Sequence, residues 1–117
     1  MKYLLSRIKL RTEKCIKEVL ENGQIVFSSK DVVIYALKVC ENEGFKFAVI
    51  TAKECGNSVK RNRIKRLTRE YFRLNQRRIK NFYVLIRYKR DPGFRRYCDA
   101  EKFFEKIFAE KDLFRSH

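Results

Sequence analysis

The residues with the most evident chemistry form a run of cations between Lys53 and Arg73. Seven of the fourteen residues from Lys60 to Arg73 are basic, and Glu70 is the only acid among them. On a helix, with about 100° of rotation per residue, two opposite faces separate. The cationic face would hold Asn62, Lys65, Arg66, Arg69 and Arg73. The apolar face would hold Ile64, Leu67, Tyr71 and Leu74. The sequence therefore predicts a helix that packs on one side and presents cations on the other.

Two properties of this helix favour an anionic partner over a merely solvated surface. Lys65 and Arg69 repel each other at i,i+4, as do Arg69 and Arg73, and each such pair costs the free protein roughly 0.2–0.5 kcal/mol. Arginine outnumbers lysine, and its planar guanidinium binds phosphate oxygens through two hydrogen bonds and stacks on bases. We therefore expect a nucleic acid to neutralise the cationic face. A membrane surface fits less well, because the few apolar residues of the helix are needed for the core.

The composition describes one small basic domain. A chain of 117 residues can bury a single core, and its 29 Lys and Arg against 14 Asp and Glu give a formal charge of +15. The segment 55–90 has thirteen basic residues and one acid, so it carries +12 of that charge. Such a balance implies a polyanionic partner. Because the sequence shows neither a signal peptide nor an apolar run of about 20 residues, we expect a soluble, cytoplasmic protein.

The cysteines and the histidine predict no metal site and no disulfide framework. The four cysteines are scattered without a CxxC pair, and the one histidine is His117. We expect reduced and mostly buried thiols at Cys15, Cys40, Cys55 and Cys98. The carboxylates cluster away from the cationic run, so we expect no two-metal nuclease site in the protein.

The remaining elements predict a scaffold for the cationic helix. Residues 1–11 form a basic lead-in, and a first helix from Lys14 to Leu20, with Thr12 as candidate N-cap, should end at Asn22-Gly23. Strands are predicted at residues 24–28, 31–39, 45–52 and 82–88. The first three should be antiparallel neighbours because their connections are short, with a hairpin turn at 41–44.

Two helix boundaries follow from turn chemistry. Gly56 permits backbone angles that other residues resist, and Asn57 or Ser58 is a suitable N-cap for the cationic helix. A closing helix should run from about Asp99, its candidate cap, to Leu113. It should pack on the sheet through Phe103, Phe104, Ile107, Phe108 and Leu113. The order α-β-β-β-α-β-α predicts a single-domain α+β sandwich with helices covering one four-stranded sheet.

The cationic run and the element order together resemble the protein component of bacterial ribonuclease P. That family has a signature of the form K-x-x-G-x-A-V-x-R-N-R-x-K-R-x-x-R-E. The matching residues here are Lys53, Gly56, Val59, Arg61, Asn62, Arg63, Lys65, Arg66, Arg69 and Glu70. The similarity extends over nearly the whole chain, and so long a motif is highly specific.

The resemblance implies a single domain over residues 1–117 with a left-handed β-α-β crossover, an α/β sandwich of the ribosomal protein S5 domain 2-like kind. It implies binding to the catalytic RNA and to the 5′ leader of precursor tRNA, and assistance in the endonucleolytic removal of that leader. The RNA subunit would perform the hydrolysis with Mg²⁺ that is held mainly by the RNA, and the protein would supply no catalytic residue. No organic cofactor, membrane or obligatory protein partner would be needed.

Residue by residue, the resemblance implies two sites. The residues that contact the catalytic RNA would be Gly56, Asn57, Lys60, Arg61, Asn62, Arg63, Lys65, Arg66, Arg69 and Arg73. The leader cleft would contain Arg11, Ile16, Leu20, Tyr35 and Lys53.

Four positions depart from the pattern of the family. Ile16 and Leu20 stand where the family often has phenylalanine, so they offer aliphatic contact in place of stacking, whereas Tyr35 keeps an aromatic platform. Glu54 replaces a residue that is frequently basic, which weakens the attraction for the leader, and Ser58 replaces a small alanine.

The alternative function is that of a general RNA- or DNA-binding basic protein, such as a ribosomal protein, that contacts the nucleic-acid backbone only. Composition leaves this alternative open, and the RNR motif argues against it.

Overall fold

The structure, a computed structural model, describes residues 13–40 and 44–115. Its elements are helix α1 (Glu13–Asn22), strands β1 (Gln24–Ser28), β2 (Val32–Lys38) and β3 (Lys46–Thr51), helix α2 (Ser58–Asn75), strand β4 (Phe82–Tyr88) and helix α3 (Tyr97–Glu110). Short 3-10 turns at Lys53–Cys55 and Gln76–Arg78 flank α2. The predicted order α-β-β-β-α-β-α is confirmed. Thr12, the lead-in 1–11 and most of the turn at 41–44 lie outside the described residues.

The four strands form one sheet in the order β1-β2-β4-β3. Strand β2 is antiparallel to β1 and to β4, whereas β3 is parallel to β4. The prediction that the first three strands are neighbours is therefore wrong for β3, because β4 lies between it and β2. Strand β4 is buried along almost its whole length and so requires a partner on each side. Strand β3, with Ile50 exposed, tolerates the edge.

Strands β3 and β4 are joined through α2, which makes the parallel β-α-β crossover that the resemblance implies. Chirality rules favour a right-handed crossover for such units. The left hand implied by the resemblance stays a prediction.

Helices cover both faces of the sheet. On one face, α2 and α3 pack over a large core that includes Val84 and Ile86 of β4. On the other face, Val19 of α1 packs with Tyr83 and Leu85. Successive side chains of a strand point to opposite faces, so the alternation along β4 supplies both cores.

Helix α2 is fixed by a cluster of aromatic rings centred on Phe72. The centroid of the Phe72 ring lies 4.9 Å from that of Phe47 in β3, 5.0 Å from that of Phe104 and 5.6 Å from that of Phe108 in α3. Thr68 adds a polar link, because its Oγ1 lies 2.6 Å from the Tyr88 hydroxyl. The helix that carries the cations is therefore held to the sheet and to α3 together.

The apolar face of α2 is as predicted except at its end. Ile64, Leu67 and Tyr71 are buried, but Leu74 is 46% exposed. The face continues through Phe72 and Asn75 instead. Successive residues of a helix are rotated by about 100°. Leu74, one position before the buried Asn75, therefore points away from the sheet.

Helix α3 differs from the prediction at both ends. It begins at Tyr97 with Arg96 as N-cap, so Asp99 is the third helical residue and not the cap. The Asp99 carboxylate still satisfies the helix start, since its Oδ2 accepts hydrogen bonds from the backbone N–H groups of Arg95 and Arg96 at 2.9 and 3.1 Å. The helix ends at Glu110, and Leu113 is buried beyond it.

Two substitutions separate the predicted apolar face of α2 from the observed one. We expect Phe72→Ala to destabilise the protein by about 3–5 kcal/mol, because it removes the ring at the centre of the aromatic cluster. Leu74→Ala, two positions along the same helix, should cost no more than about 1 kcal/mol. Urea unfolding followed by circular dichroism measures both, and similar costs for the two variants would contradict this packing.

Candidate nucleic-acid interface

The turn before α2 sets where the cationic run begins. Gly56 has φ of +124°, a conformation that other residues rarely adopt, and a Cβ there would lie 2.8 Å from Cδ of Lys60. Of the two predicted candidates, Asn57 and Ser58, the N-cap is Asn57, whose Oδ1 accepts a hydrogen bond from the Lys60 N–H at 3.0 Å. The side-chain oxygen of Asn57 therefore caps the helix, and its NH₂ group has no hydrogen-bond partner among those the described residues supply.

The predicted RNA-binding residues of α2 lie on the side away from the sheet. Lys60, Asn62, Arg63 and Arg66 are exposed, and Arg61, Lys65 and Arg69 are partly buried. Within the described part of the chain, the six cations of this set form no ion pair. The Nε atom of Arg61 is enclosed by protein and has no hydrogen-bond partner there. The structure therefore presents a row of cations that its own carboxylates leave unneutralised.

Arg73 is the exception on the cationic face. Its Nη2 lies 2.5 Å from Oε1 of Glu70, and its Nε donates to Oε2 of Glu70 at 3.2 Å. These hydrogen bonds hold the pKa of the Glu70 carboxyl below its ordinary value. The charge of Arg73 is thus partly compensated inside the protein, a pairing that the prediction for this residue did not include.

A shallow groove runs along the first turns of α2. It has a volume of about 420 Å³ and is lined by Val59, Asn62, Arg63 and Arg66. Val59 is 66% exposed and supplies an apolar contact between the polar side chains. Guanidinium groups beside an exposed apolar side chain suit a phosphate with its attached sugar or base.

Three of the five predicted cleft residues, Ile16, Leu20 and Tyr35, lie on the side of the sheet that carries α1. Ile16 and Tyr35 pack at the edge of the small core around Val19. Leu20 is one helical turn beyond Ile16 and is 41% exposed. Lys53 lies apart from them, with an exposed side chain in the turn after β3, and β4 separates that strand from Tyr35. Arg11 lies outside the described residues.

Further residues of this second face were missed by the sequence analysis. We call the open sheet face the surface formed by Tyr35 with Lys46, Ala48, Ile50, Tyr83, Leu85 and Arg87. The last six form three cross-strand pairs between β3 and β4. Tyr83 and Leu85 of these pairs are buried in the small core around Val19, and the other four are partly or fully exposed. The Lys46 Nζ lies 5.9 Å from the centroid of the Tyr83 ring, and Arg87 is exposed beside Ile50. The signal was the alternation along both strands, which places apolar residues between two cations.

None of the four cysteines, all of which lie in the described residues, forms a disulfide, and only Cys55 is buried. Cys40 and Cys98 are exposed, so the expectation of mostly buried thiols is wrong for these two. Across residues 13–40 and 44–115, no three His, Cys, Asp or Glu side chains are grouped so that they could hold a metal ion. Over the same residues, no helix has the length and apolar character needed to cross a membrane.

A basic α+β domain with one unneutralised arginine-rich helix defines a nucleic-acid-binding protein. Comparison with known families then gives the particular family, because the model described as Ribonuclease P matches residues 4–112. The chain belongs to the ribonuclease P protein family, which acts with an RNA subunit in the maturation of the tRNA 5′ end. The predicted identity and RNA-binding function are thereby confirmed.

Individual relatives agree with this assignment. The ribonuclease P protein component of Fusobacterium nucleatum is 34% identical over 97 residues, which cover 79% of both chains. The protein component of Macrococcus caseolyticus is 33% identical over 79 residues, covering 67% of this chain and 68% of that one. The solved structure of the RNase P protein from Staphylococcus aureus superposes with a TM-score of 0.78 at 18% identity, covering 97% of each chain, which supports the fold.

The ion pair at Arg73 leads to a prediction about salt dependence. The affinity K for RNA falls as salt rises, so the slope of log K against log salt is negative. We expect Arg69→Gln to reduce the magnitude of this slope by about one, because it removes one phosphate contact. Arg73→Gln should lower it by clearly less, since Glu70 already compensates this charge. The measurement is a salt titration with the ribonuclease P RNA, and equal slopes for the two variants would count against the difference between them.

Proposed function

We propose that this chain is the accessory subunit of an endoribonuclease whose RNA subunit carries the catalysis. The cationic face of α2 binds that RNA, and the open sheet face binds the 5′ leader of precursor tRNA. The observation that carries the proposal is the separation of two surfaces on opposite sides of one sheet. One surface presents unneutralised arginines, and the other presents the partly exposed Tyr35, Ala48 and Ile50 with the cations Lys46 and Arg87.

The chemistry of each surface matches a different nucleic-acid form. Arginines on a rigid helix bind the closely spaced phosphates of a folded RNA, because guanidinium groups reach them through two hydrogen bonds. The open sheet face offers the partly exposed ring of Tyr35, on which an unpaired base stacks, with Lys46 and Arg87 beside it for the backbone. A leader is single-stranded and therefore suits the sheet better than a duplex does.

In this proposal the protein lowers the electrostatic cost of bringing two RNAs together. Precursor tRNA and the catalytic RNA repel each other through their phosphates, and the protein's cations screen that repulsion. Mg²⁺ prefers oxygen ligands and is held by RNA phosphates. The protein's own contribution is to position the leader and to stabilise the RNA conformation that binds it.

The decisive experiment is reconstitution at low magnesium. The full chain added to the matching catalytic RNA should restore cleavage of precursor tRNA at a Mg²⁺ concentration where the RNA alone is slow, because protein cations replace part of the ionic screening. A basic ribosomal protein of similar net charge serves as the control. If that control restores cleavage equally, with the same dependence on the leader, the chain acts only as a generic polycation.

The open sheet face gives a second test. We expect Tyr35→Ala to weaken binding of the reconstituted complex to leader-bearing precursor by about tenfold, the scale of one lost base stack. Affinity for mature tRNA should stay the same, and Tyr35→Phe should retain most of the affinity because it keeps the ring. Equal weakening for precursor and mature tRNA would place the leader elsewhere.

A further inference from the structure

The segment between β4 and α3 carries cations that the proposed function does not use. Its backbone is fixed at two points. The Gly93 N–H donates to Oδ1 of Asp91 at 2.9 Å, and Gly93 itself has φ of +83°. Phe94 is 6% exposed, and its ring centroid lies 6.1 Å from that of Tyr88 and 5.4 Å from that of Phe103. The segment is therefore an anchored turn that enters α3 in a defined direction.

The acids nearest to this turn are engaged with backbone groups. Asp91 accepts from Gly93, and Asp99 accepts from the N–H groups of Arg95 and Arg96 through its Oδ2. The guanidinium groups of both arginines are on exposed side chains, and they form no ion pair with any residue of 13–40 or 44–115. The local acids shape the backbone and form no ion pair with these two cations, although the charge of Asp99 attracts Arg96.

The position of the two arginines is unfavourable for the isolated protein. They stand at the start of α3, where the helix dipole is positive and repels cations, an effect of about 0.3–1 kcal/mol per charge. Arg95 and Arg96 also repel each other as sequence neighbours. An anion that binds there removes both costs, which is the same argument that applies to the like-charged pairs of α2.

The start of α3 lies beside the second half of α2. Phe94, directly before the arginines, has its ring centroid 6.3 Å from that of Phe104, and the Phe104 centroid lies 5.0 Å from that of Phe72 in α2. Tyr88, against which Phe94 packs, lies within hydrogen-bond distance of Thr68 of α2. The two arginines therefore extend the cationic surface of α2 sideways onto the next helix.

We propose that Arg95 and Arg96 bind backbone phosphates of the same catalytic RNA that the cationic face of α2 binds, on a strand next to the one along α2. The inference rests on the proposed function and adds a second contact surface to it. A membrane fits this surface poorly, because the neighbouring exposed residues Glu101, Lys102 and Lys106 are charged and of mixed sign.

The test uses the full chain and compares two double variants with equal loss of charge. The double variant Arg95→Gln with Arg96→Gln keeps the two backbone N–H groups that donate hydrogen bonds to Asp99. The matched control is Lys102→Gln with Lys106→Gln, which removes two exposed cations further along α3. We expect the arginine variant to reduce the magnitude of the negative slope of log K against log salt for the catalytic RNA by about two, at roughly 0.9 per phosphate contact. The lysine variant should leave the slope nearly unchanged, and thermal unfolding confirms that both variants fold.

A third double variant, Arg66→Gln with Arg69→Gln, separates this inference from the proposed function. If it lowers the slope while the Arg95 and Arg96 variant matches the lysine control, the inference is overturned and the proposed function stands. If neither arginine variant lowers the slope, both are wrong. The same titrations with precursor tRNA alone locate the phosphates, because a loss seen only with precursor tRNA assigns the contact to the substrate and overturns the inference.

Discussion

The burial of one side of α2 is the constraint on which the rest of the structure depends. A buried aromatic side chain contributes about 1.5–3 kcal/mol, whereas each like-charged pair on a helix costs only a few tenths. The rings of Tyr71 and Phe72 therefore outweigh the repulsion among the cations on the other side. A single helix can carry a dense row of arginines because the sheet and α3 hold its opposite side.

The sheet divides its two faces between two tasks. One face supports α2 and α3 and so presents cations indirectly, through helices. The other face is covered only in part by α1, and the strands β3 and β4 themselves form the surface beyond it. Strand β4 serves both tasks, since Val84 and Ile86 build the helix-side core while Tyr83 and Arg87 face the other way. Because successive side chains of β4 point to opposite faces, a shift of this strand would change the helix-side core and the open sheet face together.

Much of the local structure could be predicted from the sequence because it rests on short-range rules. The strand at residues 24–28, the cap at Asn57 and the buried positions Ile64, Leu67 and Tyr71 follow from turn chemistry and helical spacing. Features that depend on distant parts of the chain could not be predicted this way. The position of β3 at the edge depends on β4, which lies more than thirty residues further along.

The candidate sites divide in the same way. The row of cations was evident from composition and spacing, but the pairing of Arg73 with Glu70 depends on side-chain conformations that spacing alone leaves open. The open sheet face was only half recognised, through Tyr35. Its other residues come together only through the pairing of β3 with β4, which places Lys46 beside Tyr83 and Ile50 beside Arg87. The predicted strand order did not include this pairing.

The strand order also constrains how the chain folds. The strand that connects the β1-β2 hairpin to β3 is the last of the four to leave the ribosome, because it follows α2 in sequence. Until residues 82–88 emerge, β1 and β2 pair only with each other, β3 has no strand to pair with, and the hydrophobic side of α2 has only part of its binding surface. Folding must therefore wait for long-range contacts, which slows it and makes it cooperative. A nascent chain shorter than this carries an exposed polycation without a scaffold, at a time when cellular RNA is close by.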